Sequence, residues 1–478
     1  MNIKKVFNTL GRLVMAESVL LLIPAIVAMI YVEQNSVSAF IITAAFAAFF
    51  GGLMTIIFRT DNDNIYAKDG FGIVALGWII ISAVGAIPFV LSGDIPNYVD
   101  AFFETVSGFT TTGASILDNV ETLSKGVHFW RSFSHWLGGM GVLVLVMAVV
   151  RNVTNRSIHL MRAEMPGPII GKLAPRAQDT AKILYFIYIA LTALQVVFLL
   201  AGGMSLYEAL IHSFGTAGTG GFSNWNASIG HYGAYPRIII TIFMIIFGVN
   251  FNIFYLLILR RFKAAFKSSE LTVYLSIILF SIIVITWNVS SVYNSFSESL
   301  GHSSFQVASI ISTTGYLTTD INAWPNLSKS ILLILMFMGS CAGSTAGGLK
   351  ISRFMLLCKQ ITKEIKHLLH PRSVSSISFE GKEVEETTLN SASAYFILYM
   401  LCFFAMFLLV SWEPFGFESN FSATASCFNN VGPFFGGMSS FASYSVFSKL
   451  VFSFAMLLGR LEIFPLIIIF SRSTWSNR

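Results

Sequence analysis

The chain has 478 residues, of which 55% are apolar and 11% charged, and its formal net charge is +6. Soluble chains carry about 25% charged residues, so an ordinary soluble enzyme is excluded. Apolar runs recur from Leu13 to Ile30, Ile183 to Leu200 and Ile331 to Met338, which makes this a polytopic membrane protein.

The N-terminus, MNIKKVFNTLGR, has the charge order of a signal sequence, but the apolar run after it is too long and lacks a clear small-residue cleavage site. It reads as an uncleaved first span. Crossing a hydrocarbon core of about 30 Å takes about 20 mostly apolar residues. Ten segments qualify: 11–32, 37–58, 71–92, 126–150, 178–202, 236–259, 270–289, 327–358, 391–411 and 444–470. With the N-terminus in the cytosol, the inner segments 1–12, 59–70, 151–182, 260–269, 350–390 and 471–478 hold 24 of the 30 Lys and Arg residues. The positive-inside rule therefore predicts that both termini are cytosolic. The short cluster Arg260, Arg261, Lys263 and Lys267 reads as part of this anchor, and no dense basic block with interleaved aromatics points to nucleic acid. The four cysteines and eight histidines show no metal-site or hydrolase spacing.

In this orientation four outer segments, after the third, fifth, seventh and ninth spans, each hold an apolar stretch of about 10 residues, too short to cross. Re-entrant half-helices are the physical option, because irregular backbone at membrane depth survives only against protein or a water-filled cavity. The stretches that follow are Thr110-Thr111-Thr112-Gly113, Ala217-Gly218-Thr219-Gly220, Ser312-Thr313-Thr314-Gly315 and Asn429-Asn430-Val431-Gly432. Aligned on their last glycines they are 107, 95 and 117 residues apart, and Ser107, Ser309 and Ser426 share one offset six residues earlier. The expected fold is all-α: two leading spans (1–70), then four helix, half-helix, loop, helix repeats at 71–160, 161–262, 263–375 and 376–478 around one pore. Small hydroxyl-rich loops leave such a pore unplugged, and carbonyl oxygens turned inward can replace a cation's hydration shell. Half-helices running inward aim their partly negative C-termini at the axis, which favours a cation. Eleven acidic residues against five basic ones on the outer side agree with cation attraction, and equally with an ordinary solvated rim.

Two features below the filter read as gate candidates. The eighth span contains Gly339, Gly343, Gly347 and Gly348 with Ser340, Ser344 and Thr345, then Lys350. Each glycine costs a helix about 1 kcal/mol relative to alanine, so the span is expected to unwind. GSTAGGLK lacks the Gly-Lys-Ser/Thr ending of a phosphate loop. The alternatives are close helix packing by small residues or an intramembrane loop. Arg460 lies mid-span in the tenth helix, with Glu462 on a different face, so either an interhelical ion pair or a fixed positive barrier in the pore would account for it.

The segments VSGFTTTGAS (106–115), GTAGTGGFS (215–223), ISTTGYLTTD (311–320), CFNNVGP (427–433) and GRLEIFP (459–465) resemble the Trk/Ktr/HKT superfamily of potassium transporters. The two leading spans and GRLEIFP are most similar to its bacterial TrkH-type ion-translocating branch, although Phe434 and Phe435 follow Gly432-Pro433 where that branch carries more glycine. The resemblance implies K+ (and Rb+) as permeant ion, held at the sixteen loop residues named above, with the 339–350 loop and Arg460 as a gate and no covalent cofactor. It also implies a homodimer in a bacterial inner membrane, docked through 151–182 and 350–390 to a cytosolic TrkA-type nucleotide-binding regulatory subunit, unless those segments are simply solvated. A Na+-permeable or Na+/K+-cotransporting relative is disfavoured by Gly113, since sodium-preferring members carry Ser there. A membrane-embedded transferase would need acidic residues or histidines clustered at one depth, and here they are scattered.

Overall fold

The computed structural model describes residues 1–60, 67–141, 177–372, 376–436, 440–471 and 475. Residues 142–150 of the fourth predicted span, most of the inner segment 151–182 and the C-terminus at Arg478 lie outside the described residues. Among the described residues the regular secondary structure is helical apart from one two-stranded hairpin, Ser378–Phe379 with Lys382–Glu383. Among the described residues six helices are long and apolar enough to cross a membrane, or up to eight if each sharply bent pair is one span.

The leading spans are Ile3–Leu20 continued by Leu22–Ile30, and Gln34–Ile57. They cross where Gly11 meets Gly51, and a Cβ built on either glycine would fall 2.7–2.8 Å from the other's carbonyl oxygen. Only a residue without a side chain lets two backbones approach so closely. The outer faces carry exposed Phe49 and Ile56, the reverse of a soluble helix and suited to lipid.

Four repeats follow, each with the same parts. The first spans are Ala67–Ser92, Ala177–Ala201, Ser269–Asn288 and Glu386–Val410. The pore helices are Tyr98–Phe109, Leu206–Gly218, Phe296–Ile311 and Phe417–Asn429. Each carries one acid in its first turn, namely Asp100, Glu208, Glu298 and Glu418. An acid there complements the positive end of the helix dipole and leaves the negative end to face the loop. After each loop comes one turn of 3-10 helix (Val120–Thr122, Ser228–His231, Ile321–Ala323, Phe441–Ser443).

The second spans are Lys125–Gly139, Ala234–Phe247, Asn326–Met338 and Val446–Arg460, each of 13 to 15 residues. At about 1.5 Å per residue these reach only about 20 Å of the ~30 Å core. The sequence predicted a break in the eighth span alone, and the structure corrects this. The sixth bends by 93° before Phe251–Ile258, and the tenth by 118° before Phe464–Phe470. In the sixth, Gly248 has no room for a Cβ beside the Tyr274 hydroxyl, and Asn250 caps the new helix through the Asn252 amide. In the tenth, Glu462 and Ile463 have φ of 52° and 67°, and Pro465, which lacks an amide hydrogen, opens the next helix.

The glycine crossing of the leading spans gives a direct test. Gly51→Val is expected to lower the stability of the detergent-purified protein by about 1–3 kcal/mol. Gly52→Ala, whose Cβ would meet nothing within 4 Å, is expected to leave it unchanged or raise it slightly. Thermal unfolding followed by size-exclusion chromatography checks both, and equal losses would contradict the packing described.

Candidate ion-conduction site

Each pore helix ends in a backbone corner built the same way. Thr111, Thr219, Thr313 and Asn430 have φ between 55° and 59°, the left-handed region that β-branched residues rarely enter. Two residues later come Gly113, Gly221, Gly315 and Gly432, with φ from 73° to 101°. Between them, the amides of Thr112, Gly220, Thr314 and Val431 donate to the carbonyls of Ser107, Gly215, Ser309 and Ser426 at 2.8–2.9 Å.

This geometry corrects the register of the second repeat by one residue. The glycine equivalent to Gly113, Gly315 and Gly432 is Gly221, not Gly220, so its loop is Gly218-Thr219-Gly220-Gly221, and Ala217 belongs to the last buried turn of the pore helix. The glycines are then 108, 94 and 117 residues apart. The position held by serine in three repeats is Gly215 in the second, because the Tyr316 hydroxyl lies 2.2 Å from where a Cβ would be. Tyr316 instead donates to the His212 carbonyl at 3.1 Å, tying the third repeat to the second.

The four corners close on one another. A Cβ on Gly113 would lie 1.8 Å from the carbonyl oxygen of Gly220, one on Gly221 2.0 Å from that of Thr314, one on Gly315 1.9 Å from that of Val431, and one on Gly432 2.6 Å from that of Thr112. The order runs from the first repeat through the fourth and back to the first, so four glycines and four carbonyls form one closed ring. Asn430 ties the closing step, donating to Thr112 Oγ1 and to the Met456 carbonyl, each at 2.9 Å. Paired hydroxyls, Thr110 with Thr112 at 2.8 Å and Ser312 with Thr314 at 2.7 Å, brace opposite corners.

Residues that the sequence reading did not single out hold the loops from behind. Nine positions before the ring glycines, Glu104, His212 and Gln306 reach from the pore helices to the chain just after them. Glu104 accepts from Ser115 Oγ and the Ile116 amide and pairs with buried Arg131, whose guanidinium stacks on Phe222 of the next repeat. His212 meets Ser223 Oγ at 3.2 Å, and Gln306 donates to Thr318 Oγ1 at 3.4 Å. In the fourth repeat Ser422 binds the backbone of Phe435, and Phe434 packs on Phe441, so this aromatic pair is a buried wall. The fixed offset from the glycines was the available signal. Several outer acids are likewise committed. Glu33 and Asp94 cap the helix at Lys125, and Asp100 and Glu418 pair with Lys449 and Lys329. Burial would raise the Glu413 carboxyl, but hydrogen bonds from Ser445 and Ser448 outweigh it and hold it below its usual range.

Under the ring lies the glycine-rich break. From Gly339 to Lys350 the chain is not helical, with positive φ at Gly339, Gly343, Gly348 and Lys350. It is an ordered loop seated in the break of the sixth span: the Cys341 amide donates to the Gly248 carbonyl, the Phe251 amide to that of Gly343, and Thr345 Oγ1 to that of Phe247. Its tip touches the ring, the Gly347 amide donating to Thr313 Oγ1 at 2.7 Å. Ser340 Oγ binds the Ile311 carbonyl at the end of the third pore helix, Ser344 Oγ the Cys341 carbonyl, and Lys350 the carbonyl of Ala346.

Arg460 is not a bare charge facing a passage. Its guanidinium donates to the Thr345 carbonyl at 2.7 Å and to those of Gly138 and Gly139 at 2.5 and 2.6 Å, stapling the loop to the C-terminal end of the helix Lys125–Gly139. Glu462 pairs with Arg353 instead, whose guanidinium also stacks on Tyr395. A cavity of about 50 Å³, lined by Trp78, Met140, Ser344, Lys350 and Arg460 among others, remains between loop and staple. At about 10–15 Å³ per water, it has room for about three to five waters.

A sequence profile of the TrkH family, described as a cation transport protein, matches residues 36–477. The chain is 36% identical to the Trk system potassium uptake protein TrkH of Salmonella typhimurium, over 99% of this chain and all of that protein. It is 35% identical to the Trk system potassium uptake protein TrkG of Escherichia coli, over 100% of this chain and 99% of the relative. The crystal structure of the potassium transporter TrkH from Vibrio parahaemolyticus superposes over the full length of both chains with a TM-score of 0.90 at 32% identity.

The corrected register can be checked by rescue. A Cβ on Gly220 would strike the His135 ring at 2.3 Å, whereas one on Gly221 would strike backbone. We expect both Gly220→Ala and Gly221→Ala to impair cation discrimination about tenfold or more, which is about 1.4 kcal/mol. His135→Ala should rescue the former and not the latter, as measured by competing cation fluxes into liposomes, and equal rescue would restore Gly220 as the ring glycine.

Proposed function

The chain belongs to the TrkH family of cation transport proteins, and on that premise we propose that it takes K+ into the cell through the ring of Thr112, Gly220, Thr314 and Val431 carbonyls. The closed ring of four glycines against four carbonyls is the observation that carries this reading. A dehydrated cation is stabilised by several inward carbonyl dipoles, and the negative ends of four pore helices add to the same field. Glycine at all four ring positions favours K+ over the sodium-permeable alternative, and Rb+ passes as its close analogue.

The Gly339–Lys350 loop and Arg460 act as the gate beneath this filter. A loop of small residues can move aside with little side-chain packing to lose, and the barrier is the set of carbonyl bonds that Arg460 makes, together with its charge. Both termini lie in the cytosol of a bacterium whose inner membrane holds the protein as a homodimer. A nucleotide-binding regulatory subunit of the TrkA type docks on the basic inner face, where 350–390 supplies seven Lys and Arg residues.

Influx of Rb+ into liposomes holding the purified protein tests the reading, with Rb+ expected to outcompete Na+. Arg460→Ala, or deletion of about three residues within 343–348, is expected to raise that influx while preserving the preference for Rb+. Arg460→Lys separates the two parts of the barrier. A lysine keeps the charge without the planar fork, so intermediate flux is expected if the staple matters, and parental flux would mean that charge alone opposes the ion. If Arg460→Ala and the deletion both fold and conduct no faster than the parent, neither element is the gate.

A further inference from the structure

We propose that Glu270 is a positioning residue that couples a cytosolic hairpin to the gate loop. One oxygen, Glu270 Oε1, accepts from the Ala342 amide at 2.7 Å and from the Ser352 amide at 3.1 Å. These amides sit at opposite ends of the loop, one near its entry and one in the first turn of the helix Ile351–Leu369. A single buried carboxyl group thus closes the loop's base, one oxygen taking both amides.

The same residue is gripped from the cytosolic side. Glu380 Oε1 accepts from Ser268 Oγ, Ser269 Oγ and the Glu270 amide, each at 3.0 Å, and so caps the helix that carries Glu270. Glu380 sits at the tip of the Ser378–Glu383 hairpin, where it and Gly381 have φ of 51° and 75°. The hairpin is fastened to the helix below the loop. Ile377 and Phe379 form a small core with Leu356 and Leu389, and Lys359 Nζ donates to the Ser378 carbonyl at 2.6 Å. Hairpin, helix end and loop base therefore share one continuous set of bonds, through which a displacement of the exposed hairpin reaches Ala342 and Ser352. Such a chain becomes coupling only when perturbing one end changes the state of the other.

The proposal rests on the reading of the loop as a gate, so a loop-shortened variant (about three residues removed within 343–348) is carried as reference. Rb+ influx is measured in liposomes for the parent, Glu270→Ala, Glu270→Gln and Glu380→Ala. We expect Glu270→Ala to raise influx about tenfold or more, the scale of two lost hydrogen bonds of ordinary net strength, and Glu380→Ala to raise it severalfold, both with the Rb+ over Na+ preference kept. Glu270→Gln, whose amide oxygen can still accept from both amides, should stay nearer the parent. In the loop-shortened background Glu380→Ala should add nothing, a non-additivity that mere loss of stability would not produce. Should Glu270→Ala fail to fold, Glu380→Ala on the exposed hairpin carries the test. Parental influx in Glu380→Ala beside a fast loop-shortened variant overturns the coupling and leaves the gate standing. A full additive increase in the shortened background also overturns it. A loop-shortened variant no faster than the parent overturns the gate, and the coupling with it.

Discussion

Everything in the pore depends on how closely four backbones approach at Gly113, Gly221, Gly315 and Gly432. With carbonyl oxygens only 1.8–2.6 Å from the positions a Cβ would occupy, any side chain there would drive adjacent repeats apart. The threonines and asparagine two residues earlier are held at positive φ, a strain of about 1–3 kcal/mol each that persists only where the surroundings over-determine it. Those surroundings are the buried pore helices and the side chains behind them, with Glu104, His212 and Gln306 fixing the chain beyond the corner.

Below the ring the same economy of side chains has the opposite use. The Gly339–Lys350 loop buries only a few apolar side chains, Cys341 and Leu349 among them, while its backbone amides donate to the Gly248 and Phe337 carbonyls and to Glu270, and the Thr345 hydroxyl donates to the Phe247 carbonyl. Little side-chain packing would be lost on moving, and most of what holds the loop is directional hydrogen bonding. That combination suits a two-position element, and Arg460 joins three repeats at once by reaching from the tenth span to Thr345 and to Gly138 and Gly139.

The spans and the fourfold repeat were legible because hydropathy and repeated glycines are local properties of the chain. What misled the register was Gly220-Gly221: two adjacent glycines match equally well as letters, and only the backbone decides which takes the left-handed corner. The third marker, serine six residues earlier, was missing from that repeat because Tyr316 occupies its space. The bends in the sixth and tenth spans were hidden because mean apolarity does not register a backbone break. For Arg460 the sequence offered an ion pair or a bare barrier and missed the staple, because its partners are carbonyls more than a hundred residues away, which leave no trace in side-chain identity. Glu270 left no sequence signal for the same reason, its partners being the backbone amides of Ala342 and Ser352.

The central claim is that one ring, made by four loops in the corrected register, holds the permeating ion. Crystals grown in Rb+, examined by anomalous diffraction, test it without reference to flux. The account predicts anomalous density on the axis enclosed by the carbonyls of Thr112, Gly220, Thr314 and Val431, at distances that coordinate a dehydrated ion. Rb+ found only outside the ring, or bound to fewer than three of the four loops, would contradict it.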